Sequence, residues 1–162
     1  MDTPFTPKTT FNKPASDRYF EDYIPGEVHE FGEIAVDEAD IIAFARQYDP
    51  QYFHTDPAKA RDSLFGGLIA SGFHTGAMVM RLLVDHYLSA AAGMGSPGLD
   101  ELRWPNPVRA GDRLWIRIAT LDAKRSRSKP DRGVVSMLVE AFNQREEMVM
   151  TFKAAVFVGC RQ

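Results

Sequence analysis

Apolar residues recur at Ile41, Phe44, Ala45 and Tyr48, the i, i+3, i+4, i+7 spacing of a helix that buries one stripe. Asp37 stands where an N-cap is needed, and Glu38 and Asp40 put negative charge in the first turn, where the macrodipole favours it. Val36 and Ile41 fill the two positions of a hydrophobic staple. Asp49-Pro50 ends the helix, because the residue before a proline is biased away from helical backbone. Residues 50–67 read as a loop with one turn of helix near Pro57 to Ser63. A second helix is expected from about Gly72 to Leu88. Phe73, Ala77, Met80, Val84 and Leu88 mark one of its faces, and Met78, Val79, Leu82 and Leu83 cover most of the rest. A helix apolar almost all round is expected to be buried on nearly all sides.

The remaining pattern has the period of strands. Val28 to Ile34 is a short candidate, and Ala90 to Gly98 is a loop. Leu99 to Trp104 reads as a strand interrupted by Pro105, Asn106 and Pro107, which suggests an edge or a bulge. Leu114, Ile116 and Ile118 alternate with Trp115 and Arg117, and Val134 to Phe142 and Met148 to Val158 form a hairpin across Asn143-Gln144-Arg145-Glu146. Two helices followed by long strands predict an α+β domain, with an antiparallel sheet packed on the second helix. Residues 1–17, rich in Thr, Pro, Lys and Asn, read as a flexible or draped N-terminal arm, and 18–162 as one domain.

The chain has 162 residues, 44% of them hydrophobic and 25% charged, which suits one globular domain with a substantial core. A formal net charge of −3 gives no electrostatic reason to expect nucleic acid or an anionic membrane as partner. The single cysteine, Cys160, excludes an intramolecular disulfide and a cysteine metal site. The N-terminus has no basic region followed by an apolar run, and Leu68 to Met80 is too short to span a bilayer, so the cytoplasm is the expected compartment. His29, His54, His74 and His86 have no i, i+4 spacing on one helix, so no metal site is expected. Gly66-Gly67 does not make a dinucleotide fingerprint.

The informative stretch is Asp49-Pro50-Gln51-Tyr52-Phe53-His54 followed by Gly66 to Thr75. It sets a carboxylate and an imidazole five residues apart, ahead of a helix whose N–H groups are unpaired. That suits acid–base work beside a carbonyl. Each part has a plainer reading. Asp49-Pro50 alone is a helix-ending turn, His54 alone a loop histidine, Gly72 a packing glycine, and Asp56 the cap of the turn at Pro57.

Three blocks carry a resemblance. Phe44-Ala45 through Asp49, Pro50, His54 and Asp56 is the first, and Phe65-Gly66-Gly67-Leu68-Ile69-Ala70-Ser71-Gly72 is the second. Arg103-Trp104-Pro105-Asn106-Pro107 through Gly111-Asp112-Arg113-Leu114 is the third. Over residues 18–158 the chain resembles the MaoC-like (R)-specific enoyl-CoA hydratases, which have the hotdog fold. It departs from the family in having Gln51 after Pro50, where active hydratases usually have Asn and then Pro. It also has Ser71 where His often precedes the helix-opening glycine.

The resemblance implies reversible hydration of a trans-2-enoyl-CoA to an (R)-3-hydroxyacyl-CoA, with coenzyme A as part of the substrate and no separate cofactor or metal. Asp49 and His54 would grip the water as acid–base pair, and the N–H of Gly72 would stabilise the thioester oxygen. Gln51, Ser71, His74, Arg103 and Arg109 are the candidate substrate-binding residues, with packing or a hydrogen bond near the helix start as the plainer reading of His74. The basic run Lys124-Arg125-Ser126-Arg127-Ser128-Lys129 is either a phosphate contact or a solvated hairpin loop. The implied partner is a second copy of the chain, in a homodimer or higher homo-oligomer. A catalytically silent acyl-CoA-binding domain and a thioesterase are the alternatives.

Overall fold

The computed structural model describes Thr6, Lys8, Thr9 and residues 11–162. Strand β1 is Val28–Ala35, followed by helix α1, Glu38–Tyr48, and two single-turn helices, α2 at Tyr52–Thr55 and α3 at Pro57–Ala60. Helix α4 is Gly72–His86, and strands β2 (Leu99–Arg103), β3 (Arg113–Arg125), β4 (Arg132–Phe142) and β5 (Met148–Gly159) complete the domain. The five strands form one antiparallel sheet in the order β1-β3-β4-β5-β2. The expected α+β arrangement is therefore present. The loop at 50–67 holds two helical turns rather than the one expected, since Asp56 caps α3 with hydrogen bonds from the N–H groups of Ala58 and Lys59 while closing α2.

Local sequence explains the first helix. Asp37 accepts from the N–H groups of Ala39 and Asp40, and Val36 and Ile41 are both buried. The stripe departs from expectation at its end, where Tyr48 is 67% exposed and lies tilted against Phe44 at 5.1 Å.

Alternation sets the sheet. Leu114, Ile116 and Ile118 on β3, Val135, Met137 and Val139 on β4, and Met150 and Phe152 on β5 point to one face, where they cluster with Val79, Leu82 and Leu83 of α4. Burying each large aliphatic side chain contributes about 1.5–3 kcal/mol, so this interface carries most of the domain's stability. β2 is an edge strand whose register slips between Asp100 and Arg103, as its prolines suggested.

Helix α4 corrects one expectation. In the single chain it is not buried on nearly all sides: Phe73, Met80 and Val84 are 68%, 44% and 51% exposed. The sheet covers one face of a cylinder, and the opposite face remains open although its residues are equally apolar.

The described part of the N-terminal segment lies against the sheet. Lys8 pairs with Glu30 through two backbone hydrogen bonds, and Phe11 stacks on His29 at 4.1 Å. Residues 1–5, 7 and 10 of the expected arm lie outside the described residues. The C-terminal end of α4 is secured by Arg18, which donates to the carbonyls of His86, Tyr87 and Lys13 at 2.8–2.9 Å.

Candidate active site

The site is built where three local signals meet. Pro50 takes Asp49 out of the helix, to φ −150° and ψ 66°, and its carboxylate swings toward the start of α4. There Ser71 is the N-cap: its Oγ accepts from the N–H of Phe73 (3.3 Å) and donates to Asp49 Oδ2 (2.7 Å). Gln51 Nε2 donates to the other oxygen, Oδ1, at 2.8 Å. Asp49 is held below the usual carboxylate range chiefly by the Ser71 hydrogen bond; burial opposes it next in size, and Gln51 and a charged His54 ring add lesser downward pulls.

His54 is held by backbone. Its Nδ1 lies 2.7 Å from the carbonyl oxygen of Ile69, and a carbonyl only accepts, so Nδ1 carries the hydrogen. The Ile69 N–H in turn donates to the carbonyl of Phe53 (3.1 Å), and the Ala70 N–H to that of Val108 (2.8 Å). Segment 69–70 is thereby pinned between α2 and the stretch before β3. The turn leading into it needs Gly66, whose φ of +67° is costly for any residue with a side chain. In neutral His54 the remaining Nε2 is an acceptor, and it faces Asp49 Oδ2 at 3.4 Å. Two acceptors facing each other need hydrogens between them, and a water molecule has two to give.

Asp49, His54, Ser71 and Gly72 all line one cavity of about 430 Å³. Gly72 is the first residue of α4, so its N–H has no intrahelical acceptor and sits at the positive end of the macrodipole. The packing reading of Gly72 also has a basis in the structure. A Cβ on Gly72 would lie 2.6–2.9 Å from the indole of Trp104, too close for any side chain. Phe53, Phe65, Trp104 and Val108 supply apolar walls. Trp104 belonged to a recognised block and Phe53 adjoins His54, so both were within reach of sequence reading. The Ile69 carbonyl was not, because any residue type supplies one.

The structure does not gather every candidate. Gln51 supports Asp49 from outside the cavity, and Ser71 is fully buried with both hydrogen-bonding roles engaged. His74 points elsewhere: its ring stacks on Phe44 at 4.8 Å, and burial pushes its pKa down. Arg109 ties down the neighbouring loop by donating to the Phe65 carbonyl at 2.6 Å. Arg103 is exposed, bonds the adjacent Leu102 carbonyl and lines a different cavity. In the basic run, Lys124 pairs with Asp122 (2.8 Å) and Arg125 with Glu21 (2.7 Å), away from the cavity. Among the described residues, no group of three or more His, Cys, Asp or Glu is placed to hold a metal ion, and no helix is long and apolar enough to cross a membrane.

A five-stranded antiparallel sheet packed on one long helix, with a carboxylate and an imidazole near the N-terminus of that helix, defines an α+β domain with a polar cavity at the helix start. Comparison with known proteins places it further. The family model described as MaoC like domain matches residues 21–143, and the chain belongs to that family. A crystal structure of a MaoC-like dehydratase from Rhodospirillum rubrum superposes with a TM-score of 0.83 at 42% identity, covering 90% of this chain and 99% of that one. An (R)-hydratase from Pseudomonas aeruginosa superposes at 0.69 with 25% identity, covering 88% and 86%. The uncharacterized protein YdeM of Bacillus subtilis is 28% identical over 138 residues, 85% of this chain and 96% of that protein. The fold is the hotdog fold expected from the sequence blocks.

Proposed function

We infer that the protein is a hydro-lyase that reversibly hydrates a trans-2-enoyl-CoA to the (R)-3-hydroxyacyl-CoA. The observation that carries this reading is His54 Nε2 and Asp49 Oδ2 facing each other at 3.4 Å beside the N-terminus of α4, both of them acceptors when the imidazole is neutral. A water donating one hydrogen to each is held with its oxygen lone pairs turned outward, toward C3 of a bound enoyl group. As the oxygen bonds to C3, the water's proton passes to one member of the pair and the C2–C3 π electrons move onto the thioester. The N–H of Gly72 hydrogen-bonds the thioester oxygen as that charge develops. A proton delivered to C2 completes the addition, and the reverse sequence expels water. The steps use two side chains and one backbone N–H and call for no redox change.

Gln51 and Ser71, the two departures from the family pattern, both donate to Asp49. The substitutions thus preserve a polar cradle for the carboxylate, which favours an active enzyme over a silent binding domain. The acyl chain has an apolar route along α4, through a 200 Å³ cavity and then one of about 320 Å³ lined by Met80, Leu83, Leu99 and Phe152 among others. The open face of α4, with Phe73, Met80 and Val84, and the β2 edge are the surfaces a second copy would cover in a homodimer.

The test is ultraviolet absorbance of trans-2-enoyl-CoAs with purified protein, with free thiol followed in parallel. Loss of the conjugated enoyl signal without thiol is the expected outcome. Thiol release would make the protein a thioesterase, and silence with acyl-CoA binding intact would make it a binding domain. Light scattering of the eluting protein at twice the mass of 18.2 kDa checks the dimer.

A further inference from the structure

Arg109, expected from the sequence to bind substrate, spends its hydrogen bonds on the protein. Its Nη2 donates to the Phe65 carbonyl at 2.6 Å, and its Nη1 packs over Gly67, where a Cβ would lie 3.4 Å away. Its own backbone is fixed. The Arg109 N–H donates to Asp112 Oδ2 at 2.9 Å, and that buried carboxylate accepts from Gln144 Nε2 through its other oxygen at 3.0 Å. The residue before it, Val108, accepts from the N–H of Ala70 at 2.8 Å. Two consecutive residues therefore hold both ends of segment 65–70, which has Gly66 and Gly67 in its middle. Adjacent glycines make a segment conformationally free, so its place depends on how its ends are fastened.

We propose that Arg109 is a positioning residue for His54. Two lines of contact join them. Along the backbone, the fastened segment carries Ile69, whose carbonyl holds His54 Nδ1 at 2.7 Å. Through side chains, the Phe65 ring lies 5.2 Å from Phe53, and Phe53 meets the His54 ring edge-to-face at 4.5 Å. By fastening Phe65, Arg109 keeps the Ile69 carbonyl on Nδ1 and so keeps the hydrogen off Nε2, the atom that faces Asp49. With the segment loosened, the ring is free to turn or to carry its hydrogen on Nε2. An Nε2–H is a donor and no longer accepts from a water shared with Asp49. The effect on rate rests on the hydratase reading above; the effect on the imidazole does not.

The experiment compares the wild type with Arg109→Met, which keeps the apolar stem without the donor, and Arg109→Lys, which keeps a donor for the single bond to Phe65. Each is checked for folding by circular dichroism, and Arg109→Gln replaces Arg109→Met if that variant does not fold. Proton–nitrogen correlation spectra of the histidine rings, with the His54 signals assigned by their absence in His54→Gln, report which nitrogen carries the hydrogen. The wild type should show Nδ1–H alone, and Arg109→Met a population of Nε2–H. Hydration of a trans-2-enoyl-CoA by Arg109→Met should lose about tenfold or more in kcat, as expected for a displaced catalytic group, with KM within about twofold. Arg109→Lys should recover most of both. Unchanged His54 signals in Arg109→Met overturn the proposal. So does a raised KM with kcat unchanged, which would return Arg109 to contact with the substrate. A wild type that hydrates no enoyl-CoA overturns the hydratase reading alone, and the ring signals then decide the role of Arg109.

Discussion

The two ends of α4 are made from similar materials and arrive at opposite states. At the C-terminal end, Arg18 satisfies carbonyls of His86 and Tyr87, the Tyr23 hydroxyl donates to the Tyr87 carbonyl, and the Tyr87 hydroxyl pairs with Thr120. Burial pushes the phenol of Tyr23 up to about 12 and that of Tyr87 higher still, so both stay neutral donors at any physiological pH. At the N-terminal end, Asp49, His54 and the Gly72 N–H line an open cavity, and their remaining hydrogen-bonding capacity faces inward. A helix terminus exposes four unpaired backbone groups at either end. Filling them with protein gives a rigid anchor, and leaving them for a ligand gives a site. Holding one end fast fixes the position of the other to the precision that catalysis requires.

Breaking the N-terminal end has the larger effect on chemistry. Asp49→Asn keeps the shape of the side chain but removes the negative charge that the proposed hydration assigns to holding the water. Acid–base groups typically contribute 10²–10⁴-fold, so kcat for enoyl-CoA hydration is expected to fall about 10³-fold, equivalent to about 4 kcal/mol. The melting temperature should move by no more than about 3 °C, since the site is not the core. A variant that keeps full activity would remove Asp49 from the mechanism.

Breaking the C-terminal end reverses the pattern. Arg18 is buried, and Arg18→Ala removes the side-chain donor to the His86 carbonyl and one of the two donors to the Tyr87 carbonyl. Hydrogen bonds from a charged donor are worth about 1.5–3 kcal/mol each, so a loss of at least about 3 kcal/mol is expected. Differential scanning calorimetry should show a melting temperature lower by about 10 °C. The protein that remains folded at 25 °C should keep kcat within about twofold. A large loss of kcat with unchanged stability would mean that the anchor and the site are not separable.

The contrast explains what could be read from the sequence. The limits of α1 were legible because Asp37, Pro50 and the staple act within one turn of where they stand. Alternation on β3 and β4, and the prolines after β2, likewise announced a buried sheet face and an edge. Long-range pairings were not legible. The Ser71–Asp49 hydrogen bond joins residues 22 apart in the chain, and nothing local distinguishes a serine that caps a helix from one that also holds a carboxylate. Periodicity marked α4 as apolar all round but does not say which face the sheet takes, so the openness of Phe73 and Val84 was missed. Of the two readings of His74, packing near the helix start is the one the structure bears out: a helix turns about 200° over two residues, enough to carry it from the Gly72 side to Phe44.

A subtler change sharpens the catalytic end without abolishing it. Ser71→Ala removes the N-cap of α4 and the main donor to Asp49, at a cost of about 1 kcal/mol in stability. A carboxyl held below its ordinary value stabilises the fold above its unfolded titration range and surrenders that stability as pH falls through the folded value. Ser71→Ala brings the two values closer, so the variant loses less stability on acidification. For the same reason the acidic limb of the kcat/KM profile, which needs Asp49 ionised, moves to higher pH. An unshifted limb would assign that titration to another group.

Gln51→Ala tests whether the second donor to the same carboxylate is equivalent to the first. It should not be. Ser71 is fully buried and its hydrogen bond has no replacement, whereas Gln51 is exposed and water can donate to Asp49 Oδ1 in its place. Stability should change by no more than about 0.5 kcal/mol, as at most surface positions. The acidic limb should move in the same direction as in Ser71→Ala but by less, because Gln51 is the smaller of the two hydrogen-bonding influences on Asp49. Measuring KM alongside kcat separates the remaining roles. A raised KM with kcat unchanged would show that Gln51 touches the substrate, the role its sequence position suggested, rather than acting only through Asp49.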